Sequence, residues 1–214
     1  MKKSEFDQRF SECCTTVTSA TSTRERTITP KGLRSFGSDD ADFFLDLLPG
    51  PRDRSGLPTS LRFWKTRIEA RDPEQTFTVG LIYGPSGCGK FSLVKAGLIP
   101  RLSKDVRPLY IEATPDETET RILRALQKHV TDLPTDASLA ETFAWLRRQS
   151  GPKIVIIVDQ FEQWLHAHCG ETDADLVTAF RQCDGTQLQA IVMVRDDFAM
   201  AAARFMEPGP RRIA

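Results

Sequence analysis

The chain has 214 residues, 40% of them hydrophobic and 27% charged, and its formal net charge is zero. That length suits one α/β domain with a real core plus some extra segments, and the charge balance gives no sign of wholesale binding to nucleic acid or an anionic membrane. The strongest apolar run, Ile154-Val-Ile-Ile-Val158, is far too short to span a bilayer, no signal-peptide core follows Met1, and five cysteines without a CxxC pair argue against a disulfide framework. The expected location is the cytoplasm.

Taken in chain order, residues 1–30 read as a separate, disordered arm. Eight of the thirteen residues from Ser11 to Thr23 are Ser or Thr, with almost nothing aliphatic to bury. From Lys31 the character changes, and residues 31–206 read as the folded core. Ser38, followed by Asp39, Asp40 and Asp42, is expected to cap a helix over Ala41–Leu48 that Pro49-Gly50-Pro51 ends. A second helix is expected over Ser60–Ala70, with Leu61, Trp64 and Ile68 on one face. The basic residues around it (Arg52, Arg54, Arg62, Lys65, Arg67, Arg71) read as a solvated face, with a partner or phosphate contact as the sharper alternative.

Strands and helices then alternate. Strands are expected at Phe77–Tyr83, Arg107–Glu112, Lys153–Val158 and Leu188–Val194. Between them fall helices at Lys90–Leu102, Glu117–Val130, Ser138–Gln149, Gln160–His168 and Asp173–Cys183, and a last helix begins near Asp197. This alternation implies βαβ units and a mostly parallel sheet. The continuously β-branched Lys153–Val158 suits a central strand covered on both faces.

The chemistry concentrates after the first strand. Gly84-Pro85-Ser86-Gly87-Cys88-Gly89-Lys90 matches the phosphate-loop pattern Gly-x4-Gly-Lys, whose glycines let backbone N–H groups curl around a polyphosphate while the lysine adds charge. The next position should offer a hydroxyl to Mg²⁺, and here it is Phe91. Ser92 is one residue late, about 100° further round a helix. Asp159 closes the apolar strand where open α/β sheets bind ligands, with a helix cap as the plain alternative. Glu162, three residues on, is placed to polarise a water molecule as general base. Arg195 ends the fourth strand and either reads a γ-phosphate bidentately or pairs with Asp196 or Asp197. His166-Ala-His168-Cys169 lacks the separated ligand pairs of structural zinc and reads as a polar helix end.

These motifs, with Lys31-Gly-Leu-Arg-Ser-Phe36, Ser92-Leu-Val-Lys-Ala-Gly-Leu-Ile-Pro-Arg-Leu102, Val158-Asp-Gln-Phe-Glu162 and Val194-Arg-Asp-Asp-Phe198, resemble the novel STAND group of P-loop NTPases, bacterial signal-transduction ATPases. The resemblance implies a three-layer P-loop sandwich with the fourth strand between the loop strand and the Asp159 strand. It also implies an ATP-dependent switch: Gly84 to Ser92 on the nucleotide, Asp159 serving Mg²⁺, Glu162 the water and Arg195 the γ-phosphate. With Phe91 in the hydroxyl position, Mg²⁺ is expected to be held weakly or through water, and hydrolysis to be impaired. Residues 207–214 read as a tail unrelated to the family, so the sandwich is expected to be incomplete, lacking a fifth strand and a lid. That expectation brings with it a protein partner or self-association. The rival reading is a non-catalytic pseudo-NTPase interaction module or truncated paralogue. A small-molecule kinase ranks behind both, because no acceptor-binding domain is evident.

Overall fold

The structure, a computed structural model, describes residues 35–168 and 174–206. The expected Ser/Thr-rich arm, the tail and Cys169 lie outside the described residues. Four strands form one sheet: β1 (Val79–Gly84), β2 (Val106–Glu112), β3 (Lys153–Asp159) and β4 (Leu188–Arg195). All pair in parallel, in the order β1-β4-β3-β2, so β4 does separate the loop strand from the Asp159 strand. Composition fits inner positions for β3 and β4. Every residue of β3 is buried, as is β4 up to Val194, and β-branched runs of this kind favour strands covered on both faces. Pro108, which has no N–H to give a ladder, sits in the edge strand β2.

The alternation of side chains along β3 sends Val155 and Ile157 to one face and Ile154, Ile156 and Val158 to the other. The first face is covered by α1 (Ala41–Leu47), by α2 (Thr59–Glu69) through Leu61 and Ile68, and by the helix after the loop, α3 (residues 90–101), through Val94 and Leu98. The second face carries α4 (Thr118–His129), α5 (Leu139–Leu146), α6 (Glu162–Ala167), α7 (Asp175–Phe180) and α8 (Ala199–Met206). Ile122, Phe143, Trp164, Phe180 and Ala202 bring these five helices into one core. The result is a three-layer α/β sandwich, as expected. Among the described residues no helix is long and apolar enough to cross a membrane.

Several local expectations change. The stretch Lys90–Leu102 is not one α-helix: α3 starts with an α-turn (Lys90–Ser92), widens into a π-helix (Leu93–Leu98) and ends in a 3₁₀ turn (Ile99–Arg101). Pro100 cannot donate to the Ala96 carbonyl as an α-helix would require. Arg101 takes that role instead, with Nη1 donating to the Ala96 and Gly97 carbonyls at 2.8 and 2.9 Å and Nη2 to the Ala41 carbonyl at 2.8 Å. Ser38 does not cap α1. The Asp40 carboxylate accepts the Gly37 N–H at 3.1 Å, and the Ser38 hydroxyl only reaches Asp39. Phe77 precedes β1 rather than opening it, and its ring meets Trp64 edge-on at 5.6 Å. At the start of α5, Ser138 Oγ accepts the Glu141 N–H while Glu141 accepts the Ser138 N–H, a reciprocal capping box.

Candidate nucleotide site

The carboxyl ends of β1, β4 and β3 bring the expected residues to one end of the sheet. In the ladder Gly84 lies opposite Arg195 at the end of β4, and Asp159 opposite Glu112. From Gly84, which is buried, the chain passes through five exposed residues, Pro85 to Gly89, and returns to half-burial at Lys90. Gly87 and Gly89 have φ of 77° and 90°, a left-handed backbone that glycine adopts without a Cβ penalty. The Cys88 N–H donates to the Pro85 carbonyl at 3.3 Å, which closes the turn. Among the described residues no acceptor takes the amides of Ser86, Gly87, Gly89 or Lys90. Such a run of free N–H groups is an anion-binding concavity. Lys90 folds over it, with Nζ donating to the Gly84 carbonyl at 2.7 Å and the Pro85 carbonyl at 3.0 Å. The residues present fit a polyphosphate: amide donors, one lysine ammonium and no carboxylate on the loop itself.

The position after Lys90 is built differently. The Phe91 ring meets Tyr110 of β2 edge-on, with centroids 5.8 Å apart. Lys95 Nζ stands over both rings, 4.5 Å from Phe91 and 4.1 Å from Tyr110, a cation–π arrangement that ties α3 to β2. The Tyr110 hydroxyl donates to Asp159 Oδ2. Burial, first, and the Asp159 carboxylate hold the Tyr110 phenol well above its usual range. Asp159 is itself buried, and its other oxygen, Oδ1, accepts the Gln160 N–H at 2.8 Å. Gln160 has φ of 53°, a left-handed conformation rare for a residue with a side chain and one that collects at functional turns.

The second hydroxyl is also engaged. Ser92 is buried, and its Oγ accepts the Phe36 N–H at 3.1 Å, which anchors the segment whose Phe36 ring packs against Phe43 and Phe44. An Mg²⁺ ion prefers six oxygens in near-octahedral array. Here a ring stands at the hydroxyl position, and the Asp159 carboxylate has both oxygens in hydrogen bonds. The residues as arranged do not fit the metal.

Glu162 opens α6, half-buried, and its Oε2 is buried with no hydrogen-bond partner among the described residues. An unpaired buried carboxylate oxygen is an acceptor free for a water proton. Arg195 is turned to its neighbour: its Nε donates to Asp197 Oδ1 at 3.0 Å, Nη2 donates to Oδ2, and the guanidinium lies 5.4 Å over the Phe198 ring. The pairing raises the Arg195 pKa and lowers that of Asp197. The two are exposed, so the pair itself contributes little to stability. His168 stacks on Trp164 at 4.3 Å, and His166 packs on Phe198 at 5.0 Å.

Sequence reasoning passed over Tyr110 and Lys95. Tyr110 is the aromatic residue of β2, between Leu109 and Ile111, and Lys95 follows Phe91 by one helical turn, a spacing that puts both on one face. Those two signals were available, but only strand order joins them to Asp159.

No curated protein matches the chain. Among solved structures, Drosophila ORC bound to DNA is 20% identical with a TM-score of 0.43, over 58% of this chain and 34% of that one. Thermomonospora curvata EccC (ATPases 2 and 3) in complex with a signal sequence peptide is 19% identical with a TM-score of 0.36, over 72% and 33%. The cytoplasmic domain of the Thermomonospora curvata type VII secretion ATPase EccC is 17% identical with a TM-score of 0.34, over 59% and 18%. This chain spans about a third or less of the length of each, and likenesses this distant carry no argument about its role. The family model described as Novel STAND NTPase 1 matches residues 31–209, most of the chain. The chain belongs to the Novel STAND NTPase 1 family.

Proposed function

We propose that this chain is the ATP-binding core of a cytoplasmic signalling switch in which hydrolysis is impaired. One observation carries the reading: a glycine loop with four free amides and Lys90 beside it, next to a cation position filled by aromatic rings. The loop from Gly84 to Lys90 holds the phosphates, because backbone donors and one ammonium suffice for affinity. Lys90 exchanges its two loop carbonyls for phosphate oxygens. Glu162 is the group able to accept a proton from an attacking water, through its unpartnered Oε2. Arg195 reaches a γ-phosphate only by leaving Asp197, so the pair holds the sensor in reserve. Asp159 is the carboxylate to which the family resemblance assigns Mg²⁺.

The Phe91–Tyr110 packing also favours a second reading, a pseudo-NTPase whose fold is kept for binding a protein partner or another copy of itself. Calorimetric titration with ATP, paired with a phosphate-release assay on the same preparation, separates the two. Saturable binding with phosphate release no faster than the uncatalysed background is the expected result. No heat of binding would favour the interaction module, and steady turnover would overturn the impairment.

A further inference from the structure

We propose that Tyr110 takes the cation's place at Asp159, so that nucleotide binds this loop without help from Mg²⁺ and restoring the hydroxyl at position 91 is not enough to bring the metal back. This inference rests on the nucleotide-binding reading and adds a residue to it. Three observations converge on one spot. The Tyr110 hydroxyl donates to Asp159 Oδ2, and the Gln160 N–H occupies Oδ1 at 2.8 Å, so the buried carboxylate has a donor on each oxygen. Phe91 lies edge-on to the same tyrosine ring at 5.8 Å, which puts an apolar ring at the helix position next to Lys90. Lys95, a turn along α3, places its ammonium over both rings and pins them together.

The chemistry follows from what each group offers. A carboxylate left buried and unpaired is costly, and a phenol proton supplies the stabilisation a metal-bound water otherwise gives. That hydrogen bond also spreads the Asp159 charge onto a neutral donor and lowers its pull on a dication. Phe91 and Tyr110 thus act as a pair. Phe91 removes one ligand, and Tyr110 disarms the other. Tyr110 is a positioning residue, since it acts through Asp159 and no phosphate contact is assigned to it.

The test measures ATP affinity by calorimetry with excess Mg²⁺ and with EDTA, in wild type, Phe91→Ser, and Phe91→Ser combined with Tyr110→Phe. Wild type and Phe91→Ser should show affinities within about threefold in the two conditions, and the double variant should bind at least about tenfold more tightly with Mg²⁺. A merely structural tyrosine would shift both conditions alike, because Tyr110→Phe keeps the ring that Phe91 and Lys95 pack on. Full Mg²⁺ enhancement in Phe91→Ser alone would overturn the role of Tyr110, as would a double variant that stays indifferent to the metal. If the double variant fails to fold by circular dichroism, the single variant decides: indifference supports the proposal and enhancement refutes it. Strong enhancement in wild type would refute this inference while leaving nucleotide binding intact. Absence of ATP binding in wild type under both conditions would overturn the functional reading itself, and this inference with it.

Discussion

At the opposite end of the sheet from the glycine loop, Lys153 opens β3 with its side chain fully buried. Its Nζ donates to the Ala70 carbonyl at 2.8 Å and to Thr76 Oγ1 at 3.1 Å. Burial, and then the nearby Arg71, pull its pKa from 10.5 down to about 8, while Asp184 pulls the other way. A drop of that size corresponds to roughly 3 kcal/mol, at about 1.4 kcal/mol per tenfold in proton affinity. Below pH 8 folded and unfolded chains both hold the proton, and folding carries the full cost of the buried charge. Between pH 8 and 10.5 the unfolded chain binds more protons than the folded one, so this group makes stability rise with pH. Above that window it is neutral in both states.

Lys153→Met keeps the apolar stem and removes the ammonium. The Ala70 carbonyl then loses this donor, a loss of about 1–3 kcal/mol, set against roughly 3 kcal/mol of relieved charge burial. The variant should therefore lie between neutral and about 2 kcal/mol more stable at pH 7. The assay is urea unfolding of both proteins at intervals from pH 7 to 10.5, read as the difference between them. The difference matters because the Cys183 thiol and the Tyr110 phenol are both pushed up by burial. They ionise first in the unfolded chain and subtract stability in the same alkaline range, equally in both proteins. Wild type should gain on the variant as pH rises from 8 to 10.5. A difference that stays flat across that window would refute the reasoning.

Three further outcomes follow from the packing. Phe143→Ala empties a fully buried site beside Phe180 and should lower stability by about 3–5 kcal/mol in urea unfolding. Ser138→Ala breaks the capping box of α5 and should cost only about 1 kcal/mol in the same assay. Among the described residues β1 pairs with β4 alone, and Val79 to Gly84 carries no charge or proline to guard its outer edge. Sedimentation should show self-association at roughly tens of micromolar, and a monodisperse monomer there would count against an available edge.

Much of this was legible in the residues because the signals were local and repeated. The β-branched run of β3 declares a strand buried on both faces, and Gly84 to Lys90 declares its loop by spacing alone. Strand order came from family resemblance, since no residue of β4 says that it sits between β1 and β3. Helix ends were read less well. Ser38 has a capping residue's chemistry, yet Asp40 holds the free N–H of the turn, a choice made by chain geometry. The π-helical turn in α3 comes with Arg101 reaching back to the Ala96 and Gly97 carbonyls, a contact set by side-chain reach. At the site, Phe91 was visible as a departure, but its consequence was not. The Tyr110–Asp159 hydrogen bond joins residues 49 apart in the chain and exists because β2 pairs with β3.

The central claim is that the loop after β1 binds nucleotide through its amides and Lys90. Its most direct test is a calorimetric ATP titration of wild type against Lys90→Ala, with thermal unfolding of both as a control for folding. Lys90 is half-buried, and among the described residues its ammonium is bonded only within its own loop, to Gly84, Pro85 and Cys88, so the variant should unfold at nearly the wild-type temperature. The account predicts saturable ATP binding by wild type and a loss of at least about tenfold in affinity on removing the ammonium, the scale of one charge-assisted contact to phosphate. Equal affinity in the two proteins, or no binding by a folded wild type, would contradict it.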